Sequence, residues 1–294
     1  MTNILLYLTT VAVWGSSWLA IKYQLGTVAP EVSVAYRFVL AATFMLGYCA
    51  LSGRRLRFDA GDHLRMAFQG VMLFGTNYYL LYLASQYLTT GLVAVLFSTV
   101  VVFSILGNAA LFRTAISGRV AFGGLLGVSG ITLVFWQDLA AFDLSTRTSL
   151  GLLLAIGGTL AAAIGMLSSA LYQKRGLPVI ETTSIAMAYG AIYMTGIALI
   201  SGKPFVVDVS PAYLGSLAFL AVFASVIGFS CYLTLLGRIG ADRASYATVL
   251  FPIIALSLSM VFENFQWTTA ALMGTALILL GNLFILGKPK PATD

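Results

Sequence analysis

The sequence predicts an all-α membrane protein with ten transmembrane helices, arranged as two inverted five-helix repeats and with both termini cytoplasmic. Three observations carry this expectation. First, 60% of the 294 residues are hydrophobic and only 9% are charged, against about a quarter charged in soluble domains. A water-soluble fold cannot bury that much apolar surface. Second, apolar runs of about 20 residues, the length needed to cross hydrocarbon, recur along the chain. Third, basic residues are distributed unequally between alternate connections, as membrane topology requires.

The first five spans are expected near 3–22, 33–51, 65–84, 91–112 and 119–136. A polar break follows at Gln137, Asp138, Asp143 and Arg147, and five more spans are expected near 150–173, 182–200, 213–236, 244–262 and 268–287. The repeats are therefore read as 1–140 and 141–294, together one integral membrane domain. The runs are long and continuous, whereas a membrane β-barrel shows alternating segments of about ten residues. Met1 to Asn3 lead into the first run without the basic region of a cleaved signal peptide, so 3–22 is read as the first helix. Cys49 and Cys231 fall inside spans and are read as small packing residues.

Sorting the sixteen basic residues by side of a ten-helix chain places Arg54, Arg55, Arg57, Arg65, Arg113, Arg119, Lys174, Arg175, Arg238, Arg243, Lys288 and Lys290 together, with Lys22, Arg37, Arg147 and Lys203 opposite. The crowded side is assigned to the cytoplasm of a cell inner membrane. Losing or adding a helix would scramble this bias. The net charge of +6 is accordingly ascribed to topology and lipid headgroups rather than to nucleic acid.

A repeat supports the halves. Residues 91–103, GLVAVLFSTVVVF, stand 151 positions before 242–254, DRASYATVLFPII; Gly123 and Gly130 recur at the same offset as Gly274 and Gly281. Ser16, Ser17 and Lys22 recur one position further on as Ser168, Ser169 and Lys174. An odd number of helices per unit inverts the second copy, the arrangement of many secondary transporters. Such halves can exchange shapes around a site at mid-membrane, opening one side as the other closes.

The motifs Trp14-Gly15-Ser16-Ser17, Ala20-Ile21-Lys22 and Arg37-Phe38, with Ala84, Tyr87, Thr90, Gly91, Ala94 and Ser98, resemble the EamA branch of the drug/metabolite transporter superfamily. Ala244, Ala247, Leu250 and Pro252 carry the resemblance into the second half. The chain departs from the pattern at Val101, where proline is common, and at Phe112-Arg113-Thr114, where Leu-Gly-Glu is usual; Glu263 is retained. The resemblance implies export of metabolites. The tyrosine-rich third helix is similar to that of amino-acid exporters, the aromatic amino acid branch included.

In helix three, Gly75, Tyr78, Tyr82 and Ser85 or Gln86 share one face, next to Asn77. Buried hydroxyls and amides need partners in hydrocarbon, so this face is expected toward other helices or a water-filled cavity. The binding reading has Tyr78 and Tyr82 lining a pocket; the packing reading competes with it. Phe97 and Ser98 of helix four and Ser245, Tyr246 and Thr248 of helix nine are placed toward the centre by symmetry. Trp14, Ser17, Ser168 and Ser169 come from helices one and six. Serine and glycine there also suit close helix contact, and Trp14 and Trp18 could equally anchor an interface. Gly123, Gly127, Gly130, Gly274 and Gly281 are read as packing grooves.

The acidic residues fall in expected loops or helix ends. Glu31, Asp242 and Glu263 come nearest to the bilayer interior, each expected to reach water, so the expectation is that transport is uncoupled or that coupling uses something other than a membrane carboxylate. Arg37 is expected to snorkel outward or to pair with Glu31. The only histidine, His63, is expected in a loop. No His, Cys or carboxylate cluster has metal-ligand spacing, so no metal, cofactor or enzymatic activity is expected. A small neutral amphipathic solute, amino acids foremost, is the expected partner besides lipid. Drugs, lipids and other metabolites, and a channel or non-transporting scaffold, stay open as alternatives.

Overall fold

A computed structural model of the chain describes residues 2–112, 118–134, 147–239 and 247–286. Among these residues every regular element is helical. α1 is Asn3–Lys22 and α2 is Pro30–Leu51. α3 runs over 60–84, α-helical at Ala60–Gln69 and Asn77–Ala84 on either side of a π-helical stretch, Gly70–Thr76. α4 covers 90–112 in two pieces, Thr90–Phe97 and Val100–Phe112. α5 is Gly118–Val134, α6 Arg147–Lys174 and α7 Val179–Ile200. α8 covers 211–239, with a π-helical stretch at Phe219–Ile227 between Pro211–Ala218 and Gly228–Ile239. α9 is Ala247–Phe262 and α10 is Thr269–Leu286.

Each helix overlaps an expected span. Among the described residues, six stretches are long and apolar enough to cross a membrane, within α1, α2, α4, α6, α7 and α8, and Gly118–Val134, Leu250–Phe262 and Thr269–Phe284 are shorter apolar helices. Their outer faces are apolar too: Leu125, Val128, Ile192, Leu199 and Val261 are all more than half exposed. Such a surface suits lipid and not water.

Helix ends follow local chemistry. Asp59 caps α3 by accepting the Asp62 N–H at 2.7 Å, which starts the helix earlier than expected. His63 therefore sits on a helix instead of in a loop, with Nδ1 3.0 Å from the Tyr189 hydroxyl of α7. Pro211 occupies the first turn of α8 behind the Ser210 cap. Gly53 and Gly202 adopt φ of +65° and +63° just beyond α2 and α7, where a side chain would be strained.

The break in α4 has a visible cause. The Ser98 and Thr99 hydroxyls donate to Val95 O and Leu96 O at 2.7 and 2.6 Å, competing with the helical ladder. The Ser98 carbonyl is then taken by Asn282 Nδ2 of α10 at 3.3 Å. Pro252 lies inside α9.

Packing is reciprocal between the N- and C-terminal helices. α1 packs on α8 and α9, as α6 packs on α3 and α4; α2 packs on α7 and α8, as α7 packs on α2 and α3; α4 meets α9 and α5 meets α10. The largest core cluster, with Trp18, Phe38, Phe74, Tyr82 and Phe251 among its buried members, draws on both sets.

One edge of this core is tied by a carboxylate. Glu263, just after α9, accepts from the Thr90 backbone N–H at 3.0 Å, the Thr90 hydroxyl at 2.7 Å and the Ser259 hydroxyl. The Ser259 hydroxyl in turn accepts the Gly91 N–H at 2.8 Å. The acid thus satisfies the donors at the start of α4, where a helix N-terminus favours negative charge. Glu263→Gln is expected to cost roughly 1–2 kcal/mol and to lower the thermal midpoint in detergent by a few degrees. An unchanged melting curve would show that the carboxylate does not hold the two helices together.

Candidate functional site

The π-helical stretch of α8 packs against α1, and that of α3 packs against α6 and α7. The π register widens a helix and moves side chains off the straight α period, a feature concentrated at functional sites. Trp14 of α1 donates its indole N–H to Ala224 O, inside the α8 stretch, at 3.1 Å. Its ring meets Phe229 and Tyr232 at 5.3 and 5.1 Å between centroids. Gly228 is required there, because an added Cβ would stand 2.5 Å from Trp14 Nε1.

Between these elements lies a cavity of about 50 Å³. Trp14, Ser17, Trp18 and Ile21 of α1, Arg37 of α2, and Leu73, Asn77, Tyr78 and Leu81 of α3 line it. Phe97 of α4, Met166 of α6, Phe229 of α8 and Phe251 of α9 complete the wall. Tyr78 and Phe229 both supply aromatic wall to this cavity. The volume holds a few waters, at roughly 10–15 Å³ for each, and is well below the ~300 Å³ of small-molecule pockets. A metabolite enters only if the helices part.

Of the residues singled out from sequence, Trp14, Ser17, Asn77, Tyr78 and Phe97 reach this cavity. Tyr82 does not; it is completely buried in the core beyond the cavity, with its hydroxyl beside the Arg37 guanidinium. Ser98 is likewise buried, at the α4 break and against Asn282. Ser169 lies outside the lining and accepts from Gln173 Nε2 at 3.4 Å. Ser168 returns its hydroxyl to Ile164 O at 2.8 Å, a packing role. Ser245 and Tyr246 lie outside the described residues, as does the side chain of Thr248. Trp18 is a cavity wall, not an interface anchor: its ring stands 5.4 Å from Phe97 and 6.1 Å from Phe251.

The expectation for Arg37 is overturned. It does not snorkel to the surface and forms no ion pair with Glu31: its residue exposure is 2%, and its Cζ lies 4.3 Å from the centre of the Tyr78 ring. The reason is azimuth, since this face of α2 points at α3 and α8 and an outward path is closed by packing. Glu31 is corrected too, being buried in the first turn of α2 instead of reaching water. Its counterpart Glu181, in the first turn of α7, is also buried and binds Arg54 at 3.1 Å. That hydrogen bond raises the Arg54 guanidinium pKa above its ordinary value. Neither acid lines the cavity.

Among the described residues, a helical bundle with apolar outer faces surrounds a small aromatic cavity bordered by the buried Arg37, an arrangement suited to a polytopic membrane protein. The chain belongs to the EamA-like transporter family, matching it over residues 1–136 and 149–287, and so to the drug/metabolite transporter superfamily. Protein PagO of Salmonella typhimurium is 23% identical over 293 residues, 99% of this chain and 95% of that protein. An uncharacterized transporter of Archaeoglobus fulgidus is 24% identical over 289 residues, 95% of this chain and 96% of that one. A probable amino-acid metabolite efflux pump of Escherichia coli is 23% identical over 290 residues, with 94% and 92% covered. A solved crystal structure superposes with a TM-score of 0.67 over 96% of both chains at 16% identity, a likeness of fold alone.

Proposed function

We propose that this transporter exports small amphipathic metabolites, neutral amino acids foremost, across the cell inner membrane by alternating access. In this reading residues 1–140 and 141–294 form two inverted five-helix halves with both termini cytoplasmic, and the solute passes through the cavity between them without chemical change. The observation that carries the reading is the cavity wall itself, to which α1–α4 contribute Trp14, Trp18, Tyr78 and Phe97 and the later helices contribute Phe229 and Phe251. Reciprocal packing supports it, because halves with matching contacts can exchange conformations at nearly equal energy. The printed name of the Escherichia coli relative supports the solute class.

Coupling is proposed to be facilitative. Among the described residues no carboxylate lines the cavity, and a proton-coupled exporter needs a titratable group that meets both the proton and the solute path. Purified protein in liposomes is expected to exchange radiolabelled phenylalanine or leucine by counterflow. An imposed pH gradient, without internal substrate, is expected to produce no accumulation. Absence of counterflow for every amino acid would defeat the solute assignment; uphill uptake driven by the gradient would defeat the uncoupled mechanism.

A further inference from the structure

Arg37 is the feature that the aromatic cavity leaves unexplained. It sits seven residues into α2, about 10 Å from the helix start, and its residue exposure is 2%. The protein compensates its charge thinly. Nε donates to Ser225 Oγ at 3.3 Å, a long bond to a neutral hydroxyl that is itself committed to Leu220 O at 3.0 Å. The Tyr78 and Phe38 rings lie 4.3 and 5.3 Å from Cζ. One terminal guanidinium nitrogen, Nη1, is buried without any hydrogen-bond partner among the described residues. The ion pairs among those residues, Arg54 with Glu181 and Arg65 with Asp62, do not involve it.

A cation this deep with no counter-charge is costly, and the cost falls when an anion joins it. A guanidinium presents a planar fork of donors that matches a carboxylate in two parallel hydrogen bonds. Arg37 borders the cavity, so a solute carboxylate held there comes within its reach, while the Tyr82 hydroxyl neighbours the guanidinium from the core and brings no charge. A second unpartnered group borders the same space: Asn77 donates Nδ2 to Leu73 O at 3.0 Å, which fixes the orientation of its amide, and leaves Oδ1 buried without a donor. That oxygen suits an ammonium or other N–H group. Beyond both lie the rings of Trp18, Phe97 and Phe251, mutually 5.4 to 6.2 Å apart, which suit an apolar side chain.

We propose that the cavity selects its solute by a carboxylate bound to Arg37, so that the transported class is amphipathic organic acids, α-amino acids among them, and not amines or uncharged drugs. This rests on the carrier reading given above and adds the group by which the solute is held.

The test uses the full-length chain in detergent, with the fluorescence of Trp14 and Trp18, both cavity residues, as the readout. Three probes share one ring: phenylalanine, 3-phenylpropionate and phenethylamine. In the wild type, phenylalanine and phenylpropionate are expected to give saturable changes, and phenethylamine to bind at least about tenfold more weakly. R37Q is expected to lose roughly tenfold to a hundredfold in affinity for the acid with the amine unaffected, and R37K to fall between. The inference is overturned if the amine binds as well as the acid, if R37Q binds the acid like the wild type, or if none of the probes gives a saturable change. Should R37Q fail to fold, the wild-type contrast between acid and amine decides the matter. Phenylalanine counterflow run in parallel separates the two proposals: transport without the acid–amine contrast removes the carboxylate site and spares the carrier, whereas selective acid binding without counterflow of any probe does the reverse.

Discussion

Gly274→Leu is expected to abolish recovery of folded, monodisperse protein. α5 and α10 meet backbone to backbone: a Cβ at Gly274 would stand 2.5 Å from Gly130 O and 2.8 Å from Val134 N, and one at Gly130 would stand 2.5 Å from Gly274 O. Gly281 repeats the contact about two turns further along, 2.5 Å from Gly123 O. These neighbours are backbone atoms of helices, which cannot rotate aside as a side chain can, so the two helices must separate. Overpacking a core costs about 1–3 kcal/mol even where side chains yield, and small residues at membrane helix contacts are what permit close approach in the first place. α5 and α10 pack mainly on each other, so prying them apart frees both. Size-exclusion chromatography of the detergent-extracted variant is the measurement. A sharp wild-type peak with an unshifted melting temperature would refute this account of the seam.

Tyr78→Ala is expected to leave the fold intact and to slow amino-acid counterflow by tenfold or more, while Tyr78→Phe stays close to wild type. The ring is what matters, being at once a wall of the cavity and the face on which the Arg37 guanidinium rests at 4.3 Å. A cation–π contact in a desolvated setting is worth up to about 2 kcal/mol, and a cavity wall lost beside it loosens the position of the cation. Tyr82→Ala should behave differently despite sharing the helix face. Its side chain is fully buried and outside the lining, so truncation leaves a void in the core costing about 3–5 kcal/mol and shows first in stability. Equal transport defects in two equally stable variants would mean that both tyrosines touch the solute.

Several features of the fold could be read from one sequence because they are local. Span positions follow from apolar runs; the α5–α10 seam was visible in Gly123, Gly130, Gly274 and Gly281, because glycine at a repeated offset inside an apolar run has few uses other than close approach. Tyr78 was singled out with Asn77 on the polar, aromatic stretch of helix three, Phe97 by the symmetry of the expected repeat, and Trp14 and Ser17 as residues of helix one. Arg37 was misjudged for the opposite reason: its distance along α2 was plain, but the direction in which it points depends on how α3 and α8 pack against that helix. Ser98 looked like a lining residue, since nothing local announced that Asn282, 184 positions away, takes its carbonyl. Met166, Phe229 and Phe251 passed unnoticed among many apolar neighbours.

Composition and periodicity alone therefore determined that this is an apolar, helical chain of a membrane, because hydrophobic burial in a bilayer acts on each segment separately, whatever its neighbours. Tertiary structure alone decided which aromatic rings share one compartment, that the π-helical stretch of α8 borders α1, and that Arg37 faces inward without an acid beside it. Those outcomes depend on the rotation of each helix about its own axis. Rotation is set by contacts between residues more than a hundred positions apart, and no spacing within a single segment encodes it.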